Sequence, residues 1–437
     1  MSSPLKIRIW NFKDLPSDWF KRTQALDEKT IESIEDDVKK IIAEVRKTGD
    51  AALVNFTEKF DKIKLKPTNL RVTSGEVQEA YRKVTEEQVS ALKLMKEKVS
   101  DFEEPMLKQL GTATSQGGIT IQNLIFPIES VACYVPGGQA AYPSTVVMTT
   151  VPAKAAGVSR IVVCSPPDKE GLVNPFVLVA ADICGVNEIY KVGGAQAIAA
   201  LAYGTDMIKP VRKIVGPGSK YVTMAKILVS KNVAIDMPAG PSEVLVLADE
   251  TANPKFIAAD MVSQAEHGSD SVAGLITTSP KLAEEVNIWL TNFARSAKRS
   301  EIVEKSLIAY GFIITCDTKE EMIMLANTFA PEHLEIMVQD PLELVEKVPS
   351  AGLILVGSYS PVSLSDYGSG TNHVLPTGGF AKSFSGLSAF DFIRRVNVVN
   401  CSKEGLLAVK SQVKVITEAE NLPNHYKAVE TRFEDES

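Results

Sequence analysis

The chain lacks any run of about eighteen consecutive apolar residues, which excludes a membrane-spanning helix. It lacks a basic excess: 47 Lys and Arg stand against 54 Asp and Glu, for a formal net charge of −7. Nucleic-acid backbones demand clustered positive charge, so nucleic acid is excluded as the main partner. No CxxC pair occurs, and the five cysteines (Cys133, Cys164, Cys184, Cys316 and Cys401) are odd in number. That argues for reduced thiols and a reducing compartment. The opening MSSPLKIRIWNFK carries no apolar signal core and no small-residue cleavage site, so a cytoplasmic protein is expected. Also missing are a G-x-G-x-x-G fingerprint, a P-loop, an internal repeat and a low-complexity segment. Sequence mechanics alone therefore do not point to a dinucleotide.

Present instead is enough chain, 437 residues with 45% hydrophobic side chains, for two or three domains. The first hundred residues read as charged helices. Ile31, Ile34, Val38, Ile41, Ile42 and Val45 recur at helical spacing before Gly49, and another helix starts after Ser74 with Val77, Tyr81 and Val84 on one face. From about residue 119 the pattern changes. Ten short β-branched runs (VACYV, IVVCS, EIYKV, KIV, NVAID, EVLVLA, VAGLITT, FIITC, LEIMV and GLILV) alternate with amphipathic stretches near 171–183, 194–203, 219–230, 254–266, 280–297 and 318–329. This alternation predicts an α/β fold with largely parallel sheets, and ten strands are many for one sheet, so two α/β modules are expected. The end of the chain reads as a helix over 402–419, a break at Leu422-Pro423 and a short helix from 424. That tail has little core of its own and must pack on something else.

Gly- and Pro-rich turns follow several strands: PGG at 136–138, VGGAQ at 192–196, VGPGSK at 215–220 and PAGPSE at 238–243. Such turns let a backbone approach a ligand, or serve only as tight strand-to-helix connections. Histidine is scarce, with four in all, and each has two readings. His267 ends a helix with Gln264 three residues earlier on the same face, an arrangement able to reach one metal or merely to suit a helix C-terminus. Glu332 and His333, at the mouth of a strand, form a pair for proton transfer or a polar loop. Asp366 and His373 share the Gly-rich loop SDYGSGTNHVLPTGG after the run GLILVG, a position where α/β proteins place ligands. His425 lies in the tail, where a lone histidine is ordinarily a surface residue. Together Gln264, His267, Asp366 and His425 compose a nitrogen and oxygen donor set without thiolate, suited to zinc or manganese in a site open to substrate.

The same residues carry a family resemblance. The segment 235–267, IDMPAGPSEVLVLADETANPKFIAADMVSQAEH, resembles the signature of histidinol dehydrogenase. So do YVPGGQAAYPSTVVMTTVPAKAAGV at 134–158, VGGAQAIAALAYGT at 192–205, APEHLEI at 330–336 and NHVLPTGGFAKSFSGLS at 372–388, and the likeness runs in order from about residue 25 to 432. The resemblance implies two-step oxidation of L-histidinol to L-histidine with two NAD, and one zinc per subunit. It implies Gln264, His267, Asp366 and His425 as zinc ligands, with His425 supplied by the partner subunit of a homodimer. Glu332 and His333 are the implied acid–base pair. Ser242, His373 and Glu420 are implied to hold histidinol together with Gln264, His267, His333, Asp366 and His425. Tyr134, Gln196 and Ser219 fall on NAD-contacting positions.

The implied architecture is two Rossmann-like α/β modules with an N-terminal helical segment and a helical C-terminal tail that packs on a partner subunit. The expected division is an N-terminal segment 1–30, a main domain of 31–128 and 243–385 bearing the zinc and acid–base residues, an inserted domain 129–242 contributing to NAD binding, and an exchanged tail 386–437. Two positions depart from the family pattern: Ser219 stands where Asn is usual, and Gln139 where a basic residue is common. Neither touches the zinc or acid–base positions. Three rival readings follow: a thiol aldehyde dehydrogenase using Cys133, a related zinc and NAD dehydrogenase acting on another small alcohol, and a zinc-stabilised protein with no activity.

Overall fold

The computed structural model describes residues 5–16, 19, 28–108, 110–137, 141–237 and 240–436. All ten runs anticipated as strands are strands, and the six amphipathic stretches between them are helices. They build two parallel sheets. In the five-stranded sheet the order is Glu188–Lys191, Arg160–Ser165, Ser130–Tyr134, Lys213–Val215 and Ala234–Ile235. In the six-stranded sheet it is Arg8–Asn11, Phe312–Thr315, Val272–Thr277, Glu243–Ala248, His333–Met337 and Leu353–Val356. Setting aside the N-terminal edge strand, both sheets share one winding: the first strand is central, the next two extend one way, and the last two extend the other. The strand order therefore reverses between Ser130–Tyr134 and Lys213–Val215 in one sheet, and between Glu243–Ala248 and His333–Met337 in the other. Ligands of open α/β sheets gather at such reversals.

Both sheets are covered on both faces, as parallel sheets require. Strand alternation sends Val131 and Cys133 to one face of the five-stranded sheet, and Ala132 and Tyr134 to the other. The first face packs on helices Ser74–Arg82, Glu86–Lys108, Pro143–Ala155 and Pro175–Ile183, and the second on Glu28–Thr48, Asp50–Asp61, Gly194–Tyr203 and Lys220–Val229. The six-stranded sheet is covered by Pro254–Ala265, Pro280–Ser296 and Ser300–Tyr310 on one face and by Lys319–Phe329 on the other.

The helices between residues 28 and 108 pack on the five-stranded sheet. The Ile34, Val38, Ile41 and Val45 stripe meets Ala195, Ile198 and Ala199 in one core. Val374, Leu387, Ala389 and Phe392 also join the five-stranded sheet's core. The N-terminal segment, expected to be helical, instead contributes Arg8–Asn11 as a parallel edge strand beside Phe312–Thr315.

A third sheet was not anticipated. Ile393–Cys401 pairs antiparallel with Ile119–Pro127, which pairs with Ala113–Gln116. Beyond it, helices Lys403–Ala419 and Pro423–Glu430 pack on each other, and the first is tied to the hairpin where the Ser402 amide donates to the Gly118 carbonyl. No helix among the described residues is long and apolar enough to cross a membrane.

Candidate active site

Glu332 and His333 open the strand His333–Met337, at the amino ends of the six-stranded sheet. Beside them Glu243 opens the neighbouring central strand. All three side chains are buried. The Glu332 carboxylate accepts the Glu243 amide through Oε2 at 2.7 Å, and the Glu243 carboxylate accepts the Glu332 amide at 3.3 Å. His333 donates from Nδ1 to the Glu243 carbonyl at 3.2 Å and lies 3.6 Å from Glu332 Oε2. Its Nε2 is buried without a hydrogen-bond partner and stands 3.9 Å from Asp366 Oδ1, itself buried and unpartnered.

Asp366 arrives by a route that the sequence did not disclose. After Leu353–Val356 the chain turns and runs back along the short helix Val362–Tyr367, which returns Asp366 to the amino ends of the strands. The cluster is therefore not at the carboxyl ends, where the loop's position after GLILVG placed it in the sequence. A helix antiparallel to its strand reverses the end at which its last turn emerges. Glu335 fixes that helix by accepting the Val362 amide at 3.0 Å. His373 completes the group. Its Nδ1 donates to the Asp366 carbonyl at 3.4 Å and lies 3.9 Å from Asp366 Oδ1.

The electrostatics divide the two imidazoles. Burial opposes a charge on His333, but the Glu332 and Asp366 carboxylates and the Glu243 carbonyl outweigh it and hold its pKa above the ordinary value. Burial dominates at His373 and lowers its pKa, with Asp366 working against the fall.

Gln264 is buried on Pro254–Ala265, and its amide Nε2 has no partner. Exchanging the amide's O and N would present an oxygen at that place. The end of this helix approaches the cluster: Tyr367 lies within electrostatic reach of Asp366, Glu266 and Tyr142. His267 is exposed just past the helix. Ser242 is half-buried beside Glu243. Glu420 and His425, by contrast, stand exposed at the C-cap of Lys403–Ala419 and on Pro423–Glu430. Among the described residues no three His, Cys, Asp or Glu side chains are poised around one metal position.

The five-stranded sheet points its carboxyl ends toward this cluster. Tyr142, which begins the helix after Ser130–Tyr134, is the residue near Tyr367, and Asn372 donates to the Met148 carbonyl at 2.7 Å on that same helix. Tyr134 is buried at the reversal point, its hydroxyl accepting the Gly194 amide at 3.0 Å, and Gln196 is buried two residues on with Oε1 unpartnered. Gly216 has φ of 114°, and a side chain there would collide with the Tyr134 carbonyl. A buried Lys226–Asp236 ion pair pins the turn: Asp236 accepts the Gly216 amide at 2.8 Å and Lys226 donates to its carbonyl at 3.0 Å. Ser219 is exposed at the start of Lys220–Val229, and its side chain caps nothing. Gln139 lies outside the described residues.

Comparison with known proteins decides the family. The family model described as histidinol dehydrogenase matches residues 24–433. The chain belongs to the histidinol dehydrogenase family. It is 46% identical to the histidinol dehydrogenase of Clostridium acetobutylicum over 396 residues, 91% of each chain, and 43% identical to that of Methanocaldococcus jannaschii over 426 residues, 97% of this chain and 98% of the other. The crystal structure of histidinol dehydrogenase from Elizabethkingia anophelis superposes with a TM-score of 0.92 at 36% identity, covering 100% of this chain and 99% of that one. Membership in this NAD-dependent family makes the chain an oxidoreductase of histidine biosynthesis.

Sequence reasoning missed Glu243, Glu335, Asn372 and the Lys226–Asp236 pair. Glu243 and Glu335 each carried a signal: a carboxylate inside an otherwise apolar strand, EVLVLA and HLEIM. Such a group is tolerated only where the fold supplies partners.

Proposed function

We propose that this chain oxidises L-histidinol to L-histidine through bound histidinaldehyde, using two NAD and one zinc per subunit, in the cytoplasm. The observation that carries the reading is the facing pair of unpartnered buried atoms, His333 Nε2 and Asp366 Oδ1, 3.9 Å apart. Buried polar atoms left open in this way await a ligand.

Gln264, His267 and Asp366 would hold the zinc, with His425 from a partner subunit as the fourth ligand. The donor chemistry fits: the Asp366 oxygen and the Gln264 amide are both buried and unsatisfied. Bound zinc would supply a Lewis acid at the place where the substrate's CH2OH group must be held. NAD would accept the hydride lost from that carbon in each step. His333 Nε2 takes the hydroxyl proton in the first step, leaving the aldehyde. Glu332, anchored through Oε2, uses Oε1 to take a proton from the water that adds to the aldehyde, while His333 returns its proton to the aldehyde oxygen and becomes neutral again. The resulting gem-diol loses a second proton to His333 as the second hydride departs, giving the acid. Ser242, His373 and Glu420 would position the substrate, and Tyr134, Gln196 and Ser219 would line the NAD site.

A homodimer with shared sites follows from the same reading. His425 and Glu420 stand away from solvent protection in one chain, and the tail exposes Leu407, Val415, Ile416 and Leu422, an apolar surface suited to burial against a second copy. We divide the chain into two α/β modules, one per parallel sheet, with the helices of 28–108 assigned to the NAD-binding one.

Incubating the zinc-loaded protein with L-histidinol and NAD tests this reading. About two NADH per histidine are expected, abolished by a chelator and restored by zinc. A folded, zinc-bound protein that makes no NADH from histidinol would overturn the substrate, and other small alcohols would then be assayed.

A further inference from the structure

Glu243 makes more contacts with the proton-transfer residues than any role as a strand residue requires. Its amide donates to the Glu332 carboxylate at 2.7 Å, its carbonyl accepts His333 Nδ1–H at 3.2 Å, and its carboxylate accepts the Glu332 amide at 3.3 Å. The other carboxylate oxygen accepts the amide of Gly378 at 3.1 Å. Gly378 has φ of 63°, and the preceding Thr377 is buried, with its hydroxyl accepting the amide of Gly240, in the turn that leads to Ser242.

One side chain thus joins three segments: the start of the central strand, the start of the strand bearing Glu332 and His333, and the loop that follows His373. A carboxylate answers two N–H groups at once because both of its oxygens accept. A glutamine in the same place offers one acceptor and sets its NH2 against one of the two amides, leaving a buried donor facing a donor.

We propose that Glu243 is a positioning residue for the Glu332–His333 pair. Its carboxylate fixes the backbone from which both side chains project, and its main chain fixes the carboxylate orientation of one and the ring orientation of the other. The inference rests on the proton-transfer roles assigned to Glu332 and His333 above. Substrate and metal are held by other residues, so disturbing Glu243 should slow the reaction with little change in binding.

The test compares Glu243→Gln and Glu243→Asp with Glu332→Gln and His333→Asn, measuring kcat and KM for L-histidinol, bound zinc and thermal stability. For Glu243→Gln, kcat should fall about tenfold to a hundredfold, as for a displaced catalytic group, while KM stays within about twofold and zinc content is unchanged. Glu243→Asp keeps the charge but is too short to reach both amides, and its kcat should lie between Glu243→Gln and the unaltered protein. A kcat within about twofold of the unaltered protein in Glu243→Gln would overturn the proposal. So would a loss of zinc and a rise in KM in parallel with the fall in kcat, or the failure of both Glu243 variants to fold, since either marks a structural support. Should Glu332→Gln and His333→Asn themselves retain turnover, the proton-transfer assignment fails first, and that failure is read independently of Glu243.

Discussion

His333 donates its Nδ1–H to the main-chain carbonyl of Glu243 across 3.2 Å. A carbonyl only accepts, so the neutral ring carries its proton on Nδ1 and presents the Nε2 lone pair to the space beside Asp366. That is the tautomer a general base needs. Removing the ring leaves the carbonyl and the neighbouring carboxylates in place but takes away the proton acceptor. His333→Asn is therefore expected to lower kcat by about 10²- to 10⁴-fold. Bound zinc should be unchanged, because His333 is outside the proposed ligand set. Steady-state NADH formation and metal analysis check both parts; near-normal turnover would remove His333 from the mechanism.

A thiol mechanism makes the opposite demand on Cys133. This residue is fully buried in Ser130–Tyr134, and burial pushes its thiol up to about 12, with the Thr149 hydroxyl pulling weakly the other way. Such a thiol holds almost no thiolate at neutral pH and has no path to a substrate. Cys133→Ala should keep kcat within about twofold. A folded variant with no turnover would reinstate the thiohemiacetal route.

The ten strands and six helices of the α/β core were legible because each buried parallel strand is a short β-branched run between turn residues. The antiparallel sheet was not. Ile393–Cys401 reads IRRVNVVNC and is exposed along most of its length, so neither alternation nor a continuous apolar run marks it. The edge strand Arg8–Asn11 is too short to announce itself. Glu332 and His333 were placed beside one another by sequence adjacency, and Asp366 was placed near them only by the family resemblance. The reason is geometric: which end of the sheet Asp366 reaches depends on a six-residue helix that reverses the chain direction. Glu243 stayed hidden beside Ser242, since its partners come from residues 89 and 135 positions away.

His425 offers the sharpest test of how the site is assembled. It is exposed on Pro423–Glu430, a helix that packs on the other tail helix, while Asp366 and Gln264 are buried with unsatisfied atoms. If a partner's tail closes the ligand set, His425→Asn should weaken zinc binding, measured as zinc retained at fixed free zinc. Mixed dimers of His425→Asn and His333→Asn would then contain one site with both residues intact. Activity well above that of either parent is expected once chains are exchanged. Demonstrated mixed dimers with no recovery would mean that each site is built from one chain.

Glu103 links stability to pH away from the reacting centre. It sits fully buried on Glu86–Lys108, where Oε2 accepts the Ala389 amide at 2.7 Å and Oε1 has no partner. Burial pushes its pKa up to about 7 from 4.5; the Ala389 amide opposes the rise and the Asp391 charge adds to it. The folded chain therefore binds this proton more tightly than the unfolded chain does. Stability from the group is intact below about 4.5 and is lost as pH climbs to about 7, by roughly 3 kcal/mol in all. Glu103→Gln keeps an oxygen for Ala389 and has nothing to ionise. Its unfolding midpoint in urea should exceed that of the unaltered protein at pH 8, and its decline between pH 5 and pH 8 should be shallower, with zinc and protein concentration held constant. Parallel pH profiles for the two proteins would show that Glu103 does not titrate in this window, and the buried carboxyl would then have to be ionised throughout.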